Sequence, residues 1–160
     1  MRLLSLPPIR RPVPLARGKP QEGYQSVRRF FGDREVVLFE SGTAALAVAI
    51  AECRAQREVS NPEVLLPAYG CPDLIAACLH ASVWPRLVGP ERNTWGYDPG
   101  ALRETLSSQA VAIVAVNLLG VGDGAVRILS IARGANVLRI QVSASIRPVT
   151  VMPGATVMSF

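Results

Sequence analysis

The chain has 160 residues, with 17 Lys and Arg against 12 Asp and Glu, and 49% of its residues are hydrophobic. That length fits one domain or slightly more, and the composition is too apolar for a disordered chain. The longest apolar runs, residues 44–51 and 110–119, fall short of the ~18 residues a membrane helix needs, so no helical membrane span is expected.

The charge is unevenly placed. Residues 1–34 hold eight basic side chains against two acids, and the remainder is close to balanced. Residues 1–20 contain Pro7, Pro8, Pro12, Pro14 and Pro20, which exclude regular helix and central strand and predict an extended Pro/Arg-rich arm. No aromatic–basic interleaving accompanies the charge, so a solvated arm is favoured and no nucleic-acid partner is expected. The apolar start is interrupted by Ser5 and stopped at Pro7, unlike a secretory signal. Cys53, Cys71 and Cys78 form no CxxC pair, which argues against a disulfide framework and a zinc site and favours a cytoplasmic address. Lys19 is the only lysine.

Beyond the arm, residues 21–160 read as one domain. Residues 21–31 predict a short helix and 35–39 a strand. Residues 43–57 predict a helix with Leu46, Ile50, Cys53 and Arg57 along one side. Residues 63–66 predict a strand stopped by Pro67, and 72–81 a helix. Residues 83–88 predict a marginal or edge strand, because Pro85 cannot serve a central ladder. Asp98-Pro99 predicts a helix start, an N-cap aspartate with proline at the first helical position. That helix runs to about residue 106. Residues 110–116 read as a buried strand, 123–133 as a helix and 137–142 as a strand. Residues 149–151 and 156–160 read as short extended pieces. Strand–helix alternation with short links argues for an α/β fold, a mostly parallel sheet with helices on both faces.

Ligands of such sheets bind outside the carboxyl ends of the strands. Four segments fall there: Glu40-Ser41-Gly42-Thr43, residues 67–71, residues 117–122 and residues 142–145. Ser41-Gly42-Thr43 joins a strand to a helix with small residues, so the helix start can face an anion such as phosphate. An ordinary capped helix explains the same residues equally well. Tyr69 either stacks on a planar ligand or packs beside a turn, and packing is the commoner role. Cys71 has no neighbouring histidine, and His80 ends a helix as a surface residue, so Cys–His catalysis is rejected. Gly120-Val121-Gly122-Asp123-Gly124-Ala125 fits G-x-G-x-x-A, a dinucleotide signal, but the acid expected about 20 residues on is missing. A tight turn needing glycine accounts for it more simply.

The segments together, in this order, resemble the DegT/DnrJ/StrS family of nucleotide-sugar aminotransferases, pyridoxal-phosphate enzymes of fold type I. The likeness rests on Ser41-Gly42-Thr43-Ala44-Ala45-Leu46 and on Glu63-Val64-Leu65-Leu66-Pro67-Ala68-Tyr69. It continues through Tyr97-Asp98-Pro99 with Leu102, residues 112–120 and residues 155–160. It implies a partial fold type I large domain and pyridoxal 5'-phosphate as cofactor. Gly42 and Thr43 would hold the phosphate, Tyr69 (or Cys71, by register) would face the ring, and Ser159 would be a second phosphate ligand. The implied substrate is a keto sugar nucleotide or similar ketone, and family members are dimers.

Three departures bear on chemistry. Where the family has Asp-x-Ala-Gln, this chain has Val142-Ser143-Ala144-Ser145, so the carboxylate that pairs with the pyridinium nitrogen is replaced by Val142. Ser145 stands in place of the glutamine. The family's Schiff-base lysine follows the Ser-Phe pair, here Ser159-Phe160, where the chain ends. The resemblance therefore implies the N-terminal part of an aminotransferase, truncated and inactive alone. The alternatives are a dinucleotide-binding Rossmann-like domain or a non-catalytic dimerisation partner of an intact aminotransferase.

Overall fold

The computed structural model describes residues 24–25, 28–29, 36–37, 39, 41–94, 96–117, 125–143 and 155–159. The chain divides into two units, Met1–Val37 and Leu38–Phe160. In the first, Tyr24, Gln25, Arg28 and Arg29 are helical, within the helix expected over 21–31. The Tyr24 hydroxyl donates to the Val36 carbonyl at 2.9 Å. Lys19 and the arm over 1–20 lie outside the described residues, as do 118–124 and 144–154.

The second unit alternates helix and strand. Its elements are α1 (Gly42–Ala55), β1 (Glu63–Pro67), α2 (Asp73–His80), β2 (Trp84–Val88) and α3 (Pro99–Thr105), followed by β3 (Ala110–Asn117), α4 (Ala125–Gly134), β4 (Leu138–Ser143) and β5 (Ala155–Ser159). The strands form one sheet in the order β2-β1-β3-β4-β5. All four pairings are parallel. The expected mostly parallel sheet is thus present, and β2, with Pro85, is an edge strand as its sequence requires.

Each helix covers an apolar sheet face. On one face Leu46, Ala49, Ile50 and Cys53 of α1 and Leu74, Ala77 and Cys78 of α2 pack with Val64, Leu66, Ala112, Val114, Ile140 and Val142. On the other, Leu102, Ile128 and Ala132 pack with Leu65, Ile113 and Ala115. β3 lies between both layers, which is why residues 110–115 are buried without alternation. α3 starts as its sequence predicts: Asp98 Oδ1 accepts from the Ala101 amide at 2.8 Å, with Pro99 at the first position.

The strand expected over 35–39 is not formed at Val36, Val37 and Phe39, which carry no strand pairing. Val37 is 73% exposed. A strand exists only through a neighbour's ladder, and an apolar β-branched run without one stays unpaired. The extended piece expected over 149–151 lies outside the described residues.

Candidate functional site at the carboxyl edge of the sheet

The direction of α1 is set by a contact at its far end. Just past α1, the Arg57 guanidinium donates to the Asn136 carbonyl at 2.9 Å and to the Ser108 carbonyl at 3.5 Å. These residues immediately precede β4 and β3, so the C-terminal end of α1 sits at the amino edge of the sheet. Fourteen residues of helix span about 21 Å, close to the length of strands of six to eight residues at about 3.3 Å each. The first turn of α1 therefore reaches the carboxyl edge.

That turn is built to start a helix. Ser41 is the N-cap in extended backbone, and its Oγ accepts from the Ala44 amide at 3.2 Å. Gly42 and Thr43 are half-buried. No acidic side chain occupies the first turn, so no carboxylate of that turn neutralises its positive dipole end.

The other expected residues come to the same edge. Asn117, Ser143 and Ser159 form one register row across β3, β4 and β5. The Asn117 Oδ1 is buried and accepts no hydrogen bond among the described residues. Tyr69 follows the end of β1 and is 55% exposed. Its loop folds back onto Pro67 and Leu74: a Cβ built at Gly70 would lie 3.1 Å from Leu74 Cδ1 and 3.7 Å from Pro67 Cγ. Cys71 is exposed, and so is His80 at the end of α2. Gly120-Val121-Gly122-Asp123-Gly124 lies outside the described residues.

Val142 is 3% exposed and belongs to the cluster with Leu46, Ile50 and Ile140. It is a packing residue facing α1, with no atom to accept a proton or a hydrogen bond. The fit to pyridoxal phosphate is therefore divided. A capped helix start with small residues suits the phosphate. Val142, which the resemblance would set against the ring nitrogen, has only methyl groups to offer there, and Ser145 lies outside the described residues. The described residues hold no lysine.

A family model described as the DegT/DnrJ/EryC1/StrS aminotransferase family matches residues 19–145. The chain belongs to this family. A protein of Streptoalloteichus tenebrarius whose assigned name is L-glutamine:3-amino-2,3-dideoxy-scyllo-inosose aminotransferase is 34% identical over 87 residues, covering 54% of this chain and 20% of that protein. Among solved structures, the E. coli GDP-4-keto-6-deoxy-D-mannose-3-dehydratase with bound hydrated PLP superposes with a TM-score of 0.70 at 22% identity, over 86% of this chain and 36% of that one. A Streptococcus pneumoniae protein named as a sugar aminotransferase, in its PLP form, gives a TM-score of 0.68 at 17% identity, over 81% and 36%. The fold is that of the fold type I enzymes, and pyridoxal phosphate is the cofactor of the family. The chain spans about a fifth of the curated relative's length and about a third of these solved structures.

The family member's three thiols divide by burial. Burial pushes Cys53 up to about 11, with Glu52 adding to the rise, and pushes Cys78 up to about 12. In the folded chain, one thiol (Cys71) should react quickly with iodoacetamide and two slowly, as read by mass after timed quenching. Because both folded values lie above the ordinary thiol value of 9.0, their contribution to stability is complete below that pH. It is lost as pH rises above 9, where the unfolded thiols ionise first.

Two features escaped sequence reasoning. Tyr97 is 5% exposed, and its hydroxyl donates to the Val114 carbonyl of β3 and lies 3.3 Å from the Leu65 carbonyl of β1. A tyrosine directly before an N-cap, in a chain with proline at a strand end, was the available signal. Arg139 and Gln141 are buried within β4, at 5% and 2% exposure, and no hydropathy pattern marks them.

Proposed function

We propose that this chain supplies the cofactor-phosphate segment of an aminotransferase acting on keto sugars or related cyclic ketones. Its first 20 residues form an arm and residues 21–160 the large-domain segment. The observation that carries the reading is the first turn of α1, capped by Ser41 and set at the carboxyl edge of a parallel sheet. Gly42 and Thr43 bind the phosphate there, Ser159 is a second phosphate ligand on the same edge, and Tyr69 covers the ring. With Val142 against the ring and Lys19 the only lysine in these 160 residues, the segment does not transaminate by itself. Its address is the cytoplasm, and it pairs with a second copy or an intact homologue.

Thr43→Asp tests the phosphate seat. A carboxylate in the first turn of a helix stabilises it by roughly 0.3–1 kcal/mol, while repelling a phosphate at the same place. The variant should unfold at the same or higher urea concentration than the parent and bind inorganic phosphate at least about tenfold more weakly. Unchanged phosphate binding would remove the α1 seat from the account.

A further inference from the structure

The neighbouring strands β1 and β3 part before they end, and one proline explains where. β1 pairs with β2 through Pro67↔Val88. Its pairing with β3 stops two residues earlier, at Leu65↔Ile113. In a parallel ladder alternate residues of a strand turn their N–H and C=O to one neighbour, and the rest to the other. The Glu63 amide donates to Gln109, before β3, at 3.0 Å. The Ala68 amide donates to Val88 of β2 at 2.8 Å. Residues 63, 65 and 67 therefore face β3. Continued in register, the amide of residue 67 would donate to the Val114 carbonyl, but proline has no N–H. Val114 sits where a carbonyl without a partner is costly, since its own residue is fully buried.

The Tyr97 hydroxyl fills that vacancy in the ladder. It donates to the Val114 carbonyl at 2.5 Å and lies 3.3 Å from the Leu65 carbonyl. With one proton to give, its principal acceptor is the nearer oxygen, the one that Pro67 leaves without a donor. We infer that Pro67 and Tyr97 form a positioning pair: Pro67 releases β1 from β3, and Tyr97 supplies the missing donor. Together they hold open the crevice at the carboxyl edge and set the course of the Tyr69 loop. The parting falls between β1 and β3, where the chain changes its direction of travel across the sheet, the point at which open parallel sheets take their ligands. The hydrogen-bond replacement stands on the geometry alone. Its service to a planar phosphorylated ligand rests on the function proposed above.

A double-mutant cycle with Tyr97→Phe and Pro67→Ala tests the pair by urea unfolding of the full chain. Alone, Tyr97→Phe leaves the Val114 carbonyl without its donor and should raise the unfolding equilibrium constant about tenfold or more. In the Pro67→Ala background an amide is again available at position 67, and the same substitution should cost less than about threefold. If Tyr97→Phe alone does not fold, recovery of folding by Pro67→Ala is the equivalent result. Equal costs in both backgrounds, or a double variant that also fails to fold, would overturn the pair. Pyridoxal phosphate binding is the second readout. In the double variant, stability recovers but β1 and β3 zip together, so affinity should fall at least about fivefold. Unchanged affinity with recovered stability would overturn the positioning role. A parent chain that binds no pyridoxal phosphate would reject the proposed function, and the unfolding cycle would still decide the hydrogen-bond replacement.

Discussion

Val142→Asp should lower the unfolding free energy by about 4 kcal/mol at neutral pH, and by much less at pH 3. The position is 3% exposed and packed among Leu46, Ile50 and Ile140. A carboxyl group there must lose its proton without water or an ionic partner, so its folded pKa is raised, by roughly three units or more for a well-buried site. Each unit corresponds to about 1.4 kcal/mol. The sign follows from linkage. The folded value lies above the unfolded one, so the penalty is small below the unfolded pKa of about 3.9 and grows as pH rises through it. Urea midpoints measured from pH 3 to pH 7 should diverge steadily from those of the parent chain. Parallel midpoints would mean that position 142 is solvated, and the statement that it cannot hold a ring nitrogen would lose its basis.

The second large effect is expected at Ile50. Its side chain is fully buried where α1 meets the sheet. Ile50→Ala removes three carbons from a packed interior and leaves a cavity, at a cost of about 2–5 kcal/mol. For a domain of typical stability, about 5–15 kcal/mol, that is a large share. Val48, on the same helix, is 52% exposed. Val48→Ala should change stability by less than about 0.5 kcal/mol. The contrast, read as urea midpoints, also checks the placement of α1. Because α1 carries Gly42 and Thr43 to the carboxyl edge, similar costs at both positions would unseat the site together with the helix.

The sequence made some elements plain and hid others, for physical reasons that differ by residue. Six apolar residues from Ala110 to Ala115 can be satisfied only by burial on both faces, and β3 lies between the two helix layers. Asp98-Pro99 names its own role, because cap chemistry is local. The pairing of β2 at the sheet edge followed from Pro85. Val36, Val37 and Phe39 looked like a strand because strand propensity ignores whether a partner exists. Pro67 was expected to stop β1. It stops pairing on the β3 side only, because a missing amide affects one neighbour and not the other. Tyr97 drew attention only as part of a family likeness. Its acceptors, on Leu65 and Val114, are 32 and 17 residues away in sequence, beyond any local pattern. Tyr69 was legible because strand–loop–helix order places it at the carboxyl edge. Gly42 and Thr43 were expected there behind a strand that is not formed at Val36, Val37 and Phe39, and the Arg57 contacts at the far end of α1 carry their placement instead. Ser159 joins that edge through the register of β5 with β4.

The central claim is the one proposed above: these 160 residues carry a seat for the cofactor phosphate at the first turn of α1, while Val142 offers the ring nitrogen no acceptor. The most direct measurement is equilibrium binding of pyridoxal phosphate to the purified chain. Inorganic phosphate serves as competitor, and a mass spectrum is taken after borohydride treatment. The account predicts reversible binding that inorganic phosphate displaces, with no covalent mass increase at any residue of the sheet. Binding that phosphate fails to displace, or a covalent adduct within the sheet, would contradict it.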